Sequence, residues 1–253
     1  MTLQAQHVTF EVARQPILRN VSADFEVGQF TALIGPNGAG KSSLLRILAG
    51  DIEPSAGSVK IENTNLESLS LMERAKLRAV MTQSTTVVFD FLVEEIIEFG
   101  WLGAQEQLLG VMQEVVQATQ LQPMLGRCLN TLSGGEQQRV QFARALMQIW
   151  PTANNSRYLL LDEPTSSLDV AHELNVLCVA KKIATKSLGV VVVLHDLNLA
   201  ARFADRLVLM NQGEVVIQGC VEEVLESELL SDVYGTQLRV EHHGGLNRVV
   251  VYS

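Results

Sequence analysis

One segment of the chain combines glycines with a lysine and a hydroxyl group at close spacing. Gly35–Ser42 reads Gly-Pro-Asn-Gly-Ala-Gly-Lys-Ser, directly after the apolar run Phe30–Ile34 and at the start of a predicted helix, Gly40–Leu48. Glycines let successive N–H groups point at phosphate oxygens, and the helix adds its positive dipole end. The pattern predicts a phosphate-binding loop, in which Lys41 reaches the β- and γ-phosphates of ATP and Ser42 ligates Mg²⁺. The predicted ATP contacts are Gly35, Pro36, Asn37, Gly38, Ala39, Gly40, Lys41, Ser42 and Ser43.

Two adjacent acids follow a second apolar run. Tyr158–Leu161 predicts a buried strand that ends at Asp162, and Glu163 begins the next loop. Carboxylate oxygens are ligands that Mg²⁺ prefers, so we expect Asp162 beside the metal. Glu163 would then act as general base on the water that attacks the γ-phosphate. Together with the phosphate loop, this pair indicates an enzyme that hydrolyses ATP.

A third segment, Leu132–Arg139, reads Leu-Ser-Gly-Gly-Glu-Gln-Gln-Arg. Ser133 and Glu136 have the spacing of a capping box, so the segment predicts at least a capped helix start. Gly134 and Gly135 cost helix stability there, but they leave bare N–H groups that favour a phosphate. Because one chain offers no second nucleotide, we expect this site to close over ATP held by another copy.

Alternating strand and helix patterns position these segments and predict an α/β layered domain. We interpret residues 1–253 as one domain, with a core of 1–83 and 157–253 and a helical subdomain over 84–156. The predicted strands are Phe30–Ile34, Ser58–Ile61, Ala79–Thr82, Arg157–Leu161, Gly189–Leu194, Leu238–Glu241 and Arg248–Tyr252. The predicted helices are Gly40–Leu48, Val93–Trp101, Glu106–Leu121, Gly134–Ile149, Val170–Thr185 and Val221–Val233.

Shorter patterns predict local structure. The alternation in Val8–Val12 is typical of a half-buried edge strand. Ser70–Glu73 has the spacing of a capping box, and Asn211–Gly213 predicts a hairpin turn. His242–Gly245 is interpreted as an exposed turn, and Pro151–Ser156 as a polar loop.

Composition narrows the class of protein. Hydrophobic residues make up 47% of the 253 residues and charged residues 19%, so we expect a well-buried core. A net charge of −9 argues against a nucleic-acid partner. Three scattered cysteines give no disulfide or zinc pattern, and no apolar run approaches the ~20 residues that span a bilayer. We expect a cytosolic protein whose membrane role depends on a partner.

With its motifs in this order, the whole chain resembles the ATP-binding-cassette (ABC) transporter ATPases. Besides the phosphate loop and the acid pair, the resemblance rests on Gln83 (the Q-loop), Leu132–Glu136 (the signature), Ser167–Asp169 (the D-loop) and His195 (the switch histidine). It implies a P-loop NTPase fold with a RecA-like core, an antiparallel β subdomain and an inserted α-helical subdomain.

The resemblance also implies roles for these residues. Gln83 would approach Mg²⁺ and the attacking water, and His195 would hold the γ-phosphate. The implied Mg²⁺ ligands are Ser42, Gln83 and Asp162. Across a homodimer, ATP bound by the other copy would be contacted by Ser133, Gly134, Gly135 and Glu136. Asp169 would link the two sites.

The implied partners are a second copy of the chain and two copies of a transmembrane permease. The chain would then lie at the cytoplasmic face of the bacterial inner membrane, and a periplasmic substrate-binding protein would take part indirectly. The surface that would receive the permease is Val87–Val93 followed by Glu94–Trp101.

Several stretches look more particularly like the ATPases of haem (hemin) importers. They are Arg78–Gln83, the Phe89/Phe91 segment, Leu146–Arg157, Asp169–His172, and His195–Arg202 followed by Ala204–Arg206. Ferric siderophores and cobalamin, which the same group of importers serves, are the alternative substrates. A soluble ABC protein of DNA repair would need an inserted coiled coil, a translation-type ABC protein would carry two cassettes, and a phosphate-loop kinase would lack the signature.

One position departs from the family pattern. The family often stacks adenine on an aromatic residue near the start of the chain, where this sequence has Val12. Val12 is therefore the predicted adenine contact, and Phe10, two residues earlier, remains an alternative.

Overall fold

Strands and helices alternate along the residues that the computed structural model describes, which are 2–83, 87, 89–150, 157–184, 187–244 and 248–252. The strands are β1 (Thr2–Val12), β2 (Gln15–Glu26), β3 (Phe30–Ile34), β4 (Ala56–Ile61), β5 (Thr64–Asn65), β6 (Arg78–Met81), β7 (Arg157–Asp162), β8 (Leu188–Val193), β9 (Arg206–Asn211), β10 (Glu214–Gly219), β11 (Arg239–His243) and β12 (Arg248–Tyr252). The α-helices are α1 (Lys41–Ala49), α2 (Leu71–Leu77), α3 (Val93–Glu98), α4 (Gln105–Ala118), α5 (Gly134–Ile149), α6 (Val170–Ile183), α7 (Leu197–Phe203), α8 (Val221–Val224) and α9 (Ser227–Tyr234).

A six-stranded sheet in the order β10-β9-β3-β8-β7-β6 forms the centre of the structure. Its pairs are parallel except for β10, which is antiparallel at one edge. Leu159 and Leu161 of β7 face a core shared with the helices of the 93–149 region, whereas Tyr158 and Leu160 face a core shared with α1. Because both faces are covered, the inner strands are continuous apolar runs. The predicted α/β fold class is confirmed.

The register of the parallel strands brings several loops to one edge of the sheet. Leu33 of β3 lies beside Val193 of β8, and Val193 lies beside Asp162 of β7. Met81 of β6 lies beside Leu161 of β7. The segments that leave the carboxyl ends of these four strands therefore start side by side, at the edge where α/β sheets bind ligands.

The helices α3 and α4 pack against α5, whose interior residues include the fully buried Phe142 and Leu146. The helix α5 has the predicted bounds. The helix α3 ends three residues before the predicted Trp101, and Gly100 follows it. A Cβ atom on Gly100 would lie 2.0 Å from the carbonyl oxygen of Arg144, so this glycine lets the end of α3 approach α5 closely.

Several local predictions are confirmed. The strand β3 has the predicted bounds, and Ser70 and Glu73 form the predicted capping box of α2. The hairpin at Asn211–Gly213 joins β9 to β10 through Gln212 (φ 46°) and Gly213 (φ 83°), the left-handed pair that a two-residue turn requires.

Two predictions about strands are wrong. The strand β1 is not an edge strand, because the second, antiparallel sheet has the order β2-β1-β4-β5 and places β1 between β2 and β4. The strand β2 lacks a continuous alternation and was not predicted. His242 and His243 do not form a turn, because both belong to β11 and pair with β12, although both are exposed.

The predicted helix Val221–Val233 is two helices, α8 and α9. In one straight helix, Leu230 would lie on the face opposite Val221, since nine residues at 3.6 per turn make two and a half turns. Both side chains are buried, at 8% exposure for Val221 and 0% for Leu230. The break after Val224 therefore lets both sides of the segment reach the core.

Two further predictions concern a loop of the helical subdomain and the absence of a membrane-spanning segment. The predicted loop Pro151–Ser156 lies outside the described residues. Within the described ranges, none of the helices has the length and apolar character needed to cross a membrane.

Candidate functional site

The phosphate loop joins β3 to α1 and depends on two of its glycines. Gly35 has φ 139° and Gly40 has φ 97°, values that residues with a Cβ atom rarely adopt. A Cβ atom on Gly35 would also lie 2.1 Å from the carbonyl oxygen of Met210 in β9. Glycine at these two positions therefore allows the chain to turn tightly from β3 into the loop.

Lys41, the first residue of α1, lies inside the curl of this loop. The residue is buried, with 5% of its surface exposed, and Nζ donates to the carbonyl oxygens of Gly35 at 2.7 Å and Pro36 at 2.9 Å. Burial lowers the pKa of Lys41, and the negative charges of Glu163 and Asp162 oppose that shift. The loop thus holds a largely desolvated cation next to two acids.

Asp162 is the last residue of β7 and is 5% exposed. Its Oδ1 accepts a hydrogen bond of 2.8 Å from the Ser42 hydroxyl. Burial raises the pKa of the Asp162 carboxyl above its usual value. A carboxylate and a hydroxyl form an oxygen donor set that suits Mg²⁺, and a divalent cation would compensate the buried negative charge. Ser42 and Asp162 therefore fit the predicted metal ligands.

Glu163 lies between two other predicted catalytic residues. One carboxylate oxygen accepts a hydrogen bond of 2.7 Å from Nε2 of Gln83, and the other lies 2.5 Å from Nε2 of His195. Gln83 comes two residues after β6 and His195 two residues after β8. Three residues that are far apart in sequence thus meet at one carboxylate, and the amide nitrogen of Gln83 faces this acid.

A cavity of about 240 Å³ opens over the phosphate loop. Glu163 and His195 line it together with Asn37, Gly38, Ala39, Gly40, Lys41, Ser42, Ser43 and Ile17. Ile17, which lies on β2, was not predicted to line the site. Ile17 and the fully buried Leu18 are adjacent apolar residues near the start of that strand, so one of them had to face away from the core. This pair of adjacent apolar residues was the sequence feature that could have indicated an outward-facing Ile17.

The predicted adenine contact, Val12, lies at the end of β1 and is 52% exposed. Phe10 is half-buried and packs against the core shared with α1. The β1–β2 pairing shifts register between Phe10 and Glu11, which explains why the two side chains do not share one environment. Val12 is more exposed than Phe10, and neither residue lines the cavity over the phosphate loop.

The signature residues begin α5. Ser133 and Glu136 form the predicted capping box: the Ser133 hydroxyl accepts from the Glu136 amide at 3.3 Å, and the Ser133 amide donates to the Glu136 carboxylate at 2.7 Å. Ser133 and Gly134 are exposed. Among the described residues, none of the four from Ser133 to Glu136 lines the phosphate-loop cavity. A single chain does not bring the two predicted phosphate sites together.

Asp169 is the N-cap of α6 and is exposed. Its Oδ1 accepts from the His172 amide at 2.9 Å and lies 2.8 Å from Nδ1 of the same histidine. These hydrogen bonds lower the pKa of the Asp169 carboxyl. Within the chain this aspartate caps a helix, and its side chain is exposed.

Three aromatic side chains lie together on the surface of the helical subdomain. Phe91 contacts Phe89 and Phe99 edge to face, with ring centroids 6.1 Å and 5.1 Å apart. Phe89 is 71% exposed and Phe99 is 60% exposed. We call Phe89, Phe91 and Phe99 the aromatic surface; all three fall within the segment predicted to receive a membrane partner.

Comparison with known proteins identifies the relatives of this chain. The family model described as ABC transporter matches residues 18–166. The chain is 42% identical to the Hemin import ATP-binding protein HmuV of Rhodopseudomonas palustris (strain BisB5), over 94% of this chain and 92% of that protein. It is 41% identical to the protein of the same name from Enterobacter cloacae, over 98% and 96% of the two chains.

Solved structures of ATP-binding cassettes are also similar to this chain. The dimeric structure of an ATP-binding cassette in a post-hydrolysis state, bound to ADP and Pi, matches with a TM-score of 0.75 and 29% identity, over 87% of this chain and 98% of that chain. A bacterial Atm1-family ABC exporter with ATP bound matches with a TM-score of 0.79 and 23% identity, over 92% of this chain and 41% of that chain, which shows the shared fold.

The buried charge of Asp162 predicts a conflict between stability and activity. Its raised pKa means that the folded state binds a proton more tightly than the unfolded state, so ionisation destabilises the protein as pH rises through the folded pKa. Asp162→Asn should raise the melting temperature of the nucleotide-free protein at pH 7 and abolish Mg²⁺-dependent hydrolysis. The gain should shrink as pH falls and wild-type Asp162 becomes protonated. A variant that melts below wild type at pH 7 would contradict this account.

The exposure of Val12 predicts that an aromatic residue is tolerated at this position. Val12→Tyr should leave the melting temperature unchanged and strengthen ATP binding by roughly 0.5–1.5 kcal/mol through stacking, up to about tenfold in Kd. Inorganic triphosphate, which has no base, should bind both proteins equally. Equal ATP affinity in the variant and the wild type would exclude Val12 as the adenine contact.

Proposed function

Because this chain belongs to the ABC transporter family, we propose that it is the ATP-hydrolysing subunit of an importer whose cargo is haem (hemin). Relatives named as hemin import ATP-binding proteins share 41–42% of their residues with it over nearly the whole of both chains. The observation in the structure that supports hydrolysis best is the meeting of Gln83, Glu163 and His195 beside the phosphate loop.

In the proposed reaction the triphosphate of ATP lies in the loop Gly35–Ser43, with Lys41 at its β- and γ-phosphates. The Glu163 carboxylate takes a proton from a water molecule while the water oxygen bonds to the γ-phosphorus. The bond from the γ-phosphorus to the oxygen of ADP breaks, giving ADP and inorganic phosphate. Ser42, Gln83 and Asp162 would hold Mg²⁺, which would supply positive charge beside the phosphates.

Positioned charge accounts for most of the proposed rate enhancement. Lys41 is fixed by two hydrogen bonds, and His195, which lies against Glu163, would hold the γ-phosphate. In the structure both carboxylate oxygens of Glu163 are engaged, by Gln83 and His195. Each of these oxygens keeps a further lone pair, so a water molecule can donate to Glu163 while both partners stay in place.

A homodimer completes each site in this proposal. Ser133, Gly134, Gly135 and Glu136 lie outside the phosphate-loop cavity of their own chain, and the exposed N-terminus of α5 offers N–H groups to a phosphate. A second copy would supply these residues to the ATP of the first, with Asp169 at the interface. The similar cassette with bound ADP and Pi is dimeric, which supports this arrangement.

The aromatic surface supports a permease partner. Exposed phenylalanines are costly to leave in water, and Phe89, Phe91 and Phe99 form a contiguous group on the helical lobe. We propose that two permease copies contact the two cassettes here. The chain would then be peripheral to the cytoplasmic face of the inner membrane, and the periplasmic binding protein would act through the permease. The helical subdomain over 84–156 is accordingly proposed as the part that meets the membrane partner.

Two variants separate nucleotide binding within one chain from binding across the dimer. Lys41→Ala removes the cation of the loop and should weaken ATP binding to the monomer by about tenfold or more, because a charged hydrogen bond contributes ~1.5–3 kcal/mol. Ser133→Arg should leave monomer binding within about twofold of wild type and block the ATP-dependent dimer. Binding is measured by calorimetry and dimer formation by size-exclusion chromatography with light scattering. If Ser133→Arg weakened monomer binding as much as Lys41→Ala does, the role of Ser133 across the dimer would be wrong.

The cargo is tested in vesicles that contain the partner permease and this subunit. Hemin, a ferric siderophore and cobalamin are each offered on a binding protein, and ATP hydrolysis is measured, with Lys41→Ala as the inactive control. We expect hemin alone to stimulate hydrolysis. Stimulation by the siderophore or by cobalamin instead would replace haem with that alternative and leave the importer assignment intact.

A further inference from the structure

The loop that follows β7 carries Glu163 in an unfavourable backbone conformation. Glu163 has φ 49°, in the left-handed region that a residue with a Cβ atom enters at a cost of about 1–2 kcal/mol. Such a conformation persists only where surrounding contacts hold it. Asp162 and Pro164, on either side of Glu163, are buried, whereas Ser166 and Ser167 are exposed, so hydrogen bonds rather than burial hold the later part of the loop.

The side chain of Gln138 supplies such contacts from α5, in addition to the Ser166 amide, which donates to the carbonyl oxygen of Glu163 at 3.3 Å. Its Nε2 donates to the carbonyl oxygen of Glu163 at 2.9 Å and to the Ser166 hydroxyl at 3.4 Å. Its Oε1 accepts from the backbone amide of Ser167 at 3.2 Å. A carboxamide can donate and accept at once, which this arrangement requires and which neither a carboxylate nor an ammonium group can do.

Gln138 also connects the two predicted functional segments of the chain. It lies on the second turn of α5, and the first turn of that helix carries the signature. The first turn itself lies close to the loop, since a Cβ atom on Gly135 would be 2.7 Å from the carbonyl oxygen of Ser167. The start of α5 and the backbone of Glu163 therefore cannot move independently while the Gln138 hydrogen bonds persist.

We propose that Gln138 is a positioning residue for hydrolysis. By holding the carbonyl group of Glu163 and the amide of Ser167, it fixes the direction in which the Glu163 side chain leaves the backbone. The carboxylate is thereby directed to the space between Gln83 and His195. Gln138 touches neither ATP nor water in this role, and the inference rests on the proposed role of Glu163 as general base.

A second glutamine on the same helix provides a matched control. Gln148 donates from Nε2 to the carbonyl oxygens of Ala75 at 2.7 Å and Arg78 at 2.8 Å, so it also fastens α5 to the core through backbone groups. It lies ten residues further along α5, away from Glu163. Loss of either glutamine loosens the attachment of the helix, but loss of Gln138 alone releases the loop of the general base.

The experiment compares Gln138→Met, Gln138→Glu and Gln148→Met with wild type. Methionine keeps the shape and removes the hydrogen bonds, whereas glutamate keeps an acceptor for Ser167 and loses the donor to Glu163. Both Gln138 variants should lower kcat by about tenfold to a hundredfold, the scale of a misplaced catalytic group, with KM for ATP within about twofold of wild type. Gln148→Met should lower the melting temperature by a similar amount and leave kcat within about twofold of wild type.

Three results would overturn the inference. The first is a kcat within about twofold of wild type in either Gln138 variant that folds, and the second is an equal loss of kcat in Gln148→Met. The third is loss of the ATP-dependent dimer in Gln138→Met, because the defect would then lie in dimer formation. Glu163→Gln is assayed in parallel. If Glu163→Gln hydrolyses ATP at the wild-type rate, the proposed role of Glu163 fails. If Glu163→Gln is inactive and the Gln138 variants are fully active, only the inference about Gln138 fails.

Discussion

The parallel pairing of β3, β8, β7 and β6 is the constraint on which the site depends. The register sets Leu33, Val193 and Asp162 side by side, so the phosphate loop, the switch histidine and the acid pair all begin at one level of the sheet. A slip of one residue in β7 would turn Asp162 to the other face and exchange the two apolar cores that its neighbours fill. The burial of those cores therefore fixes the level of the sheet at which these segments begin.

The site at this edge of the sheet contains two buried ionisable groups, Lys41 and Asp162, whose charged forms are disfavoured by burial. Burial lowers the pKa of Lys41 and raises the pKa of Asp162, so each group is pushed toward its neutral form. The two residues are adjacent to the same loop and partly compensate each other. A site of this kind favours a ligand that brings both a cation and several negative oxygens, and a metal–triphosphate complex has that composition.

Sequence patterns predicted the parts of the structure in which local chemistry and tertiary packing agree. The strand β3 is buried on both faces and α5 has a capping box and an apolar interior face, so both have the predicted bounds. The break between α8 and α9 and the bulged course of β1 result from packing against distant elements, which no local pattern contains. The predicted catalytic residues could be chosen from motifs, and the structure brings Gln83, Glu163 and His195 together, while their roles stay predictions. Ile17 and Gln138 were not predicted, because Ile17 reaches the cavity from another strand and Gln138 bonds a residue 25 positions away in sequence.

The separation of the signature from the phosphate loop within one chain has a consequence for the cell. If each active site needs residues from two copies, hydrolysis by the free subunit rises with the square of its concentration while dimers are scarce. A permease that holds two copies raises their effective concentration to about the millimolar range without any new contact at the active site. Newly made or orphaned subunits would then consume little ATP, and assembly itself would switch on the nucleotide turnover of the transporter.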